Sequence, residues 1–122
     1  MQNLPPPSDA AVLAALSHPE KLRIVDRLGQ GAAKQKELAK DLELDSGSLS
    51  RWLRELSQAG VISQERVGTH DPYWLVMPKR TEELLDLAAL LASELADAHA
   101  ERAALQAKAN KARLEERRRR SG

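Results

Sequence analysis

The chain has 122 residues, a net charge of +1, 42% hydrophobic but only 2% aromatic residues, and no cysteine. Disulfides, thiolate metal sites and cysteine nucleophiles are thereby excluded, and a core so poor in aromatics must come from Leu, Ala, Val and Ile, which favours helices over a sandwich. The length suits one domain, no apolar run approaches the roughly 20 residues that span a bilayer, and the opening MQNLPPPSD has no signal-peptide pattern. A cytoplasmic protein without membrane attachment is expected.

Residues 1–8 are Pro-rich and read as a loose leader, because three prolines cannot sit inside a helix. DAAVLAAL, from Asp9 to Leu16, predicts a short helix capped by Ser8 or Asp9. In the following SHPEKLRIVDRLGQG, Pro19 suits a first helical turn, Leu22, Ile24, Val25 and Leu28 form the expected buried stripe, and Gly29 or Gly31 ends the helix. KQKELAKDL, Lys34 to Leu42, predicts a third helix of about two turns with Leu38, Ala39 and Leu42 facing inward.

A turn at ELD leads into SGSLSRWLREL, a helix expected to run to about Ala59 and stop at Gly60. Leu49, Leu53 and Leu56 recur at the spacing of one apolar stripe, and Asp45 or Ser46 suits the cap. The period then changes. Val61–Val67 and Tyr73–Met77 are short and rich in β-branched or aromatic residues, and GTHDP between them holds turn residues, so a two-stranded hairpin is predicted. A lone hairpin is unstable and must pack on the helices.

Thr81 opens a last helix that meets no Gly or Pro before Gly122. If helical to Arg119 it spans roughly 58 Å. Leu84, Ala88, Leu91, Leu95, Ala98, Arg102, Leu105, Ala109 and Ala112 alternate steps of four and three, a heptad seam rich in Leu first and in Ala later. Charge is segregated along this helix. Residues 81–101 carry six acids and no Lys or Arg, net −6; residues 102–122 carry eight bases and two acids, net +6; residues 1–80 carry +1. A helix this long cannot cover its own apolar stripe and needs a partner.

This order of three helices, a turn into a fourth, a hairpin and a long helix is that of a winged helix-turn-helix, mainly α with a small β-hairpin. Over residues 12 to 77 the sequence resembles the ArsR-type winged-helix regulators: LSHPEKLRIVDRL resembles their opening helix, KELAKDLELDSGSLSRWLRELSQAGVI their helix-turn-helix and ERVGTHDPYWLV their wing. The resemblance implies double-stranded DNA as partner, with the recognition helix starting at Ser46. Ser46, Gly47, Ser48, Ser50 and Arg51 then face the major groove or its flanking phosphates, Arg54 a phosphate, and Arg66, Thr69 and His70 supply wing contacts. A helix entering a groove about 12 Å wide needs such a narrow, polar front, and amides at its N-terminus can bind phosphate.

Three departures from the family pattern stand out. Glu43 occupies a turn position usually held by Gly, where a positive φ would cost about 1 kcal/mol. Trp52 replaces a common His and is expected to pack beside the core stripe. Asp71 at the wing would repel a phosphate. Family members often sense metals, yet the cysteine positions of the third helix here read Lys34, Gln35 and Lys36, and Asp97 with His99 lacks its second half, which falls at Asn110 and Arg113. No metal or other cofactor is expected, and any effector is left open.

The resemblance also implies a homodimer through the terminal helices, with Leu84, Leu87, Ala88, Leu91, Leu95 and Ala98 as the pairing residues. Antiparallel pairing centred near residue 101 sets acidic against basic halves but opposes Arg102 to its own mate. Centred near Leu91, it sets Leu84 against Ala98 and leaves RLEERRRR projecting; this second register is favoured. The sequence is thus read as a leader (1–8), a DNA-binding domain (9–80) and a dimerisation helix with a basic tail (81–122). The expected function is a homodimeric, sequence-specific transcriptional regulator that represses by occlusion. The alternative is a winged-helix interaction module whose long helix binds another protein, which the near-neutral charge of residues 1–80 favours. No enzyme is expected: His18, His70 and His99 lie in separate elements, and no catalytic residues, nucleophile elbow or phosphate loop occur.

Overall fold

The computed structural model describes residues 6–65 and 71–121. Five helices and two strands follow one another: α1 (Asp9–Ala15), α2 (Pro19–Gly29), α3 (Gln35–Leu42), α4 (Ser46–Gln58), β1 (Ile62–Gln64), β2 (Tyr73–Leu75) and α5 (Pro78–Ser121). This is the winged helix-turn-helix predicted from the sequence. The expected wing residues Arg66, Thr69 and His70 lie outside the described residues.

Helices α1 and α2 each start where a side chain accepts an unpaired backbone N–H. The Ser8 hydroxyl accepts from Ala11 N at 3.1 Å, and His18 Nδ1 accepts from Glu20 N at 3.1 Å, just ahead of Pro19. The stripe of α2 differs from expectation at one position. Lys21, Ile24, Val25 and Leu28 are buried, whereas Leu22 is 36% exposed. Lys21 begins the repeat of three and four that the three apolar residues continue. Leu22, one residue on, is rotated about 100° away from it. The buried stem of Lys21 carries its ammonium to Glu55 on α4, joining the two helices by an ion pair.

The turn between α3 and α4 is fixed from both sides. Glu43 adopts the left-handed conformation, φ 53° and ψ 49°, and Leu44 N donates to Ala39 O at 3.0 Å. Two arginines of α2 clasp the end of α3. Arg23 Nη2 donates to Leu42 O at 2.9 Å, and Arg27 Nε reaches Asp41 Oδ2 at 3.2 Å. A cation on the final carbonyls of a helix also complements its dipole.

The hairpin pairs Ile62 with Leu75, Ser63 with Trp74 and Gln64 with Tyr73, antiparallel. Its described strands are shorter than the sequence suggested. A further bridge extends it, because Ala33 and Tyr73 exchange both backbone hydrogen bonds, at 3.0 and 2.8 Å. That anchors the wing to the segment leading into α3. The core under these elements is Ile24, Val25, Leu28, Leu38, Leu49, Leu53, Leu56 and Ile62, each at most 3% exposed, with Leu75 from the wing at 6%. Leu38, one of three expected inward residues of α3, is fully buried, while Ala39 and Leu42 are half-buried.

The last helix begins at Pro78 rather than Thr81. Proline fits the first helical position because its missing N–H would be unpaired there, and Thr81 N already donates to Met77 O at 2.9 Å. At 44 residues, α5 is about 66 Å long. The chain divides into two compact units, one through Glu83 and one from Leu84 onward. In the second, large apolar side chains stand in solvent: Leu87 is 62% exposed, Leu91 54% and Leu95 49%.

Replacing Glu43 by glycine removes the penalty of a side chain in the left-handed region. Urea denaturation of Glu43→Gly is expected to show a gain of about 1 kcal/mol. An unchanged or lowered midpoint would mean that the turn stores no such strain.

Candidate nucleic-acid interface

The geometry of α4 follows from what it must bury. Asp45 Oδ2 accepts from Ser48 N at 3.1 Å and starts the helix, and Leu49, Leu53 and Leu56 then commit one side of it to the core. The opposite side is what the protein presents. Gly47, Ser50, Arg51 and Arg54, spaced by three and four, share this outer face and are all exposed. Ser46 is exposed in the first turn at the edge of this face. Ser48 is half-buried and lies instead on the flank with Trp52 and Glu55. Of the six α4 residues predicted to touch DNA, the structure therefore gathers four, leaves Ser46 beside them, and turns Ser48 partly away.

No packing requirement explains Gly47. A Cβ there would meet only Asp45 Oδ2, at 3.4 Å, yet glycine within a helix costs roughly 1 kcal/mol relative to alanine. Its exposed backbone leaves the front of the helix narrow.

Arg51 is held in place and pairs with no carboxylate among the described residues. Its guanidinium carbon lies 5.9 Å from the Trp52 ring centroid, within cation–π range. Trp52 in turn meets His18 with ring centroids 5.2 Å apart and tilted by 35°. Trp52 is thus a half-buried flank residue, packing as expected, and it ties the start of α2 to α4. Glu55, one turn beyond Arg51, could have captured it. The hydrogen bond and ion pair from Lys21 hold the Glu55 carboxyl below its usual pKa, with smaller contributions from the charges of Arg51 and His18. Glu55 is engaged with Lys21, so the Arg51 guanidinium keeps its hydrogen-bond donors for another acceptor.

One neighbour of this face escaped the sequence reading. Gln35 Nε2, in the first turn of α3, donates to Ser50 Oγ at 2.6 Å. The N-terminus of α3 therefore borders the outer face of α4. Fifteen residues separate the two in sequence, and no periodicity links them. At the wing, Asp71 is half-buried, its Oδ1 is enclosed without a hydrogen-bond partner among the described residues, and its carbonyl accepts from Gln64 Nε2 at 3.2 Å.

Among the described residues no three His, Asp or Glu side chains gather into a group that could hold a metal, and no helix is long and apolar enough to cross a membrane. Asp97 and His99 are exposed on α5.

Comparison with known proteins places this geometry. Residues 19–67 match the MarR family model. Among solved structures, Rv0081 of M. tuberculosis is 32% identical, with a TM-score of 0.62 over 72% of this chain and 89% of that one. The homodimeric winged helix-turn-helix DNA-binding domain of Mb0332 from Mycobacterium bovis, described as a possible ArsR-family transcriptional regulator, is 27% identical, with a TM-score of 0.61 over 70% and 78%. The transcriptional repressor BigR of Xylella fastidiosa is also 27% identical, with a TM-score of 0.59 over 66% and 83%. No curated protein matches the sequence.

The Lys21–Glu55 pair makes a pH-dependent contribution of definite sign. A carboxyl whose folded pKa lies below its unfolded value stabilises the fold fully at neutral pH and loses that contribution as pH falls through the acid range of its titration. The stability of Glu55→Gln is expected to be lower at pH 7 and to fall less steeply below about pH 4.5. Parallel stability–pH curves for the two proteins would exclude the pair as a contributor.

Proposed function

Since the chain belongs to the ArsR-like winged helix-turn-helix DNA-binding transcriptional regulators, we propose that it acts as a homodimer that reads a specific operator and represses by occluding it. The outer face of α4 carries this reading. Gly47, Ser50, Arg51 and Arg54 form a narrow, polar and cationic ridge with no apolar side chain on it, which suits insertion into a major groove. Arg51 takes a guanine edge or a phosphate, and Arg54 a phosphate. Ser46 and the helix amides bind backbone oxygens, while Ser48 contributes at most from the flank. Arg66, Thr69 and His70 are proposed as wing contacts on the strength of the family resemblance.

Residues 9–80 carry the DNA contact in this reading, and the helix from 81 onward carries pairing. Two recognition helices about 34 Å apart are needed to read a two-fold symmetric site. The stripe of Leu84, Leu87, Ala88, Leu91, Leu95 and Ala98, exposed at all but half-buried Leu84, is the natural place for a second copy, because leucines about half exposed on a single helix, as Leu87, Leu91 and Leu95 are, gain from mutual burial. Repression is supported by the likeness to BigR, itself a transcriptional repressor. The family is not enzymatic. A protein-interaction module remains the second reading, favoured by the net charge of +1 on residues 1–80.

Binding to DNA from upstream of the protein's own gene, in the presence of competitor, tests the face. Arg51→Ala is expected to cost about 1–3 kcal/mol on the specific site and to relax its sequence preference. Equal binding by both proteins would shift the reading to the interaction module. The dimer has its own test. Leu91→Glu places a charge in the seam and is expected to convert the protein to a monomer in sedimentation, with its helix content retained. A dimer unaffected by this change would locate the interface elsewhere.

A further inference from the structure

The winged-helix portion presents a problem for a DNA-binding protein. Affinity for a duplex comes largely from neutralising phosphates, yet residues 1–80 carry only +1 and residues 81–101 carry −6. The chain's cations are concentrated in residues 102–122, the distal half of α5, with +6. How those cations are arranged is therefore informative.

Arg102, Arg113, Arg117 and Arg120 are separated by eleven, four and three residues, which sets all four on one side of a straight helix. Gln106 and Asn110 continue the same line, and the Gln106 amide donates to Asn110 Oδ1 at 3.0 Å, as neighbours on one face do. The line runs for roughly 27 Å, and Glu116 at its edge is the one acid beside it. Among the described residues, Arg102, Arg113 and Arg117 pair with no carboxylate, and only Arg120 does, through an exposed contact with Glu116 at 3.0 Å. Exposed pairs of this kind contribute a few tenths of a kcal/mol and yield readily to a phosphate.

The same segment is poorly suited to helix packing. Its two large apolar residues, Leu105 and Leu114, are 67% and 55% exposed. They are nine residues apart, which puts them on opposite sides of the helix. The leucine stripe of the acidic half has no counterpart here. Setting the two halves against each other in an antiparallel pair centred near residue 101 would face Leu84, Leu87 and Leu91 with Arg118, Glu115 and Lys111. The occupant that fits is a polyanion rather than another helix.

We infer that the Arg102–Arg113–Arg117–Arg120 face is a second DNA-binding surface, which lies along the phosphate backbone and supplies sequence-independent affinity that the winged portion lacks. The inference rests on the proposal that the chain binds DNA. It assigns the two tasks to different elements: α4 reads the sequence and the distal α5 holds the duplex.

The test measures binding of the full-length protein to a 30-base-pair mixed-sequence duplex across a salt series. One variant carries Arg113→Gln, Arg117→Gln and Arg120→Gln. A control carries Lys108→Gln, Lys111→Gln and Arg118→Gln, which removes equal charge from the other side of the same helix. Glutamine is nearly as good a helix former as arginine, and circular dichroism verifies that both variants fold. Each phosphate contact contributes about 0.9 to the slope of log affinity against log salt. The native protein is expected to lose roughly 40-fold more affinity than the stripe variant between 50 and 200 mM salt, while the control stays close to native. Equal slopes for the native protein and the stripe variant, or equal effects of stripe and control, would overturn the assignment and leave the α4 reading intact. Absence of duplex binding by the native protein at every salt concentration would overturn both.

Discussion

The burial of Leu49, Leu53 and Leu56 is the constraint on which the rest of this protein turns. These three side chains are at most 1% exposed, and they fix not only that α4 is held but which way it is rolled. A helix with three leucines in the core has no freedom to choose its outer face. Gly47, Ser50, Arg51 and Arg54 are presented because the leucines cannot be. Truncating any one of them to alanine would cost a few kcal/mol, out of a total stability of about ten. The same burial would be lost if α4 rolled, so the presented face is as rigid as the core beneath it.

Around that constraint, polar contacts do the positioning. The Lys21–Glu55 ion pair joins α2 to α4, and it also occupies the carboxylate one helical turn beyond Arg51. Trp52 meets His18 and gives the Arg51 guanidinium an aromatic surface to rest on. The clasp of Arg23 and Arg27 on the end of α3 fixes the turn in which Glu43 is held left-handed. Arginines of α2 thus act as structural fasteners, although in composition they are indistinguishable from the arginines of α4.

The terminal helix obeys different physics. From Leu84 onward none of its residues is buried within the single chain, so its helicity rests on composition: mainly Ala and Leu, with acids early and bases late along the dipole. Its first half carries exposed leucines at helical spacing and its second half carries cations without an apolar stripe. One continuous element therefore offers two surfaces of unlike chemistry, the first suited to a second copy of the chain and the second to a polyanion.

The sequence by itself determined the order of elements and the stripe of α4, because a 3.6-residue period and a change to period two are local properties that need no third dimension. Through the family resemblance it also marked Glu43 as standing at a turn position usually held by Gly, and the structure gives that residue its left-handed conformation. Only the tertiary structure decided the rest. It buried the stem of Lys21 in place of Leu22, because the ammonium finds Glu55 across 34 residues of sequence. It brought Gln35 to Ser50 and Ala33 to Tyr73, contacts that depend on how α3 and the wing dock. It moved the start of the last helix from Thr81 to Pro78, where the preceding strand delivers the chain. Periodicity fixes which face of an element is buried; which partners meet on the other faces depends on packing between elements, and no local pattern in the chain encodes it.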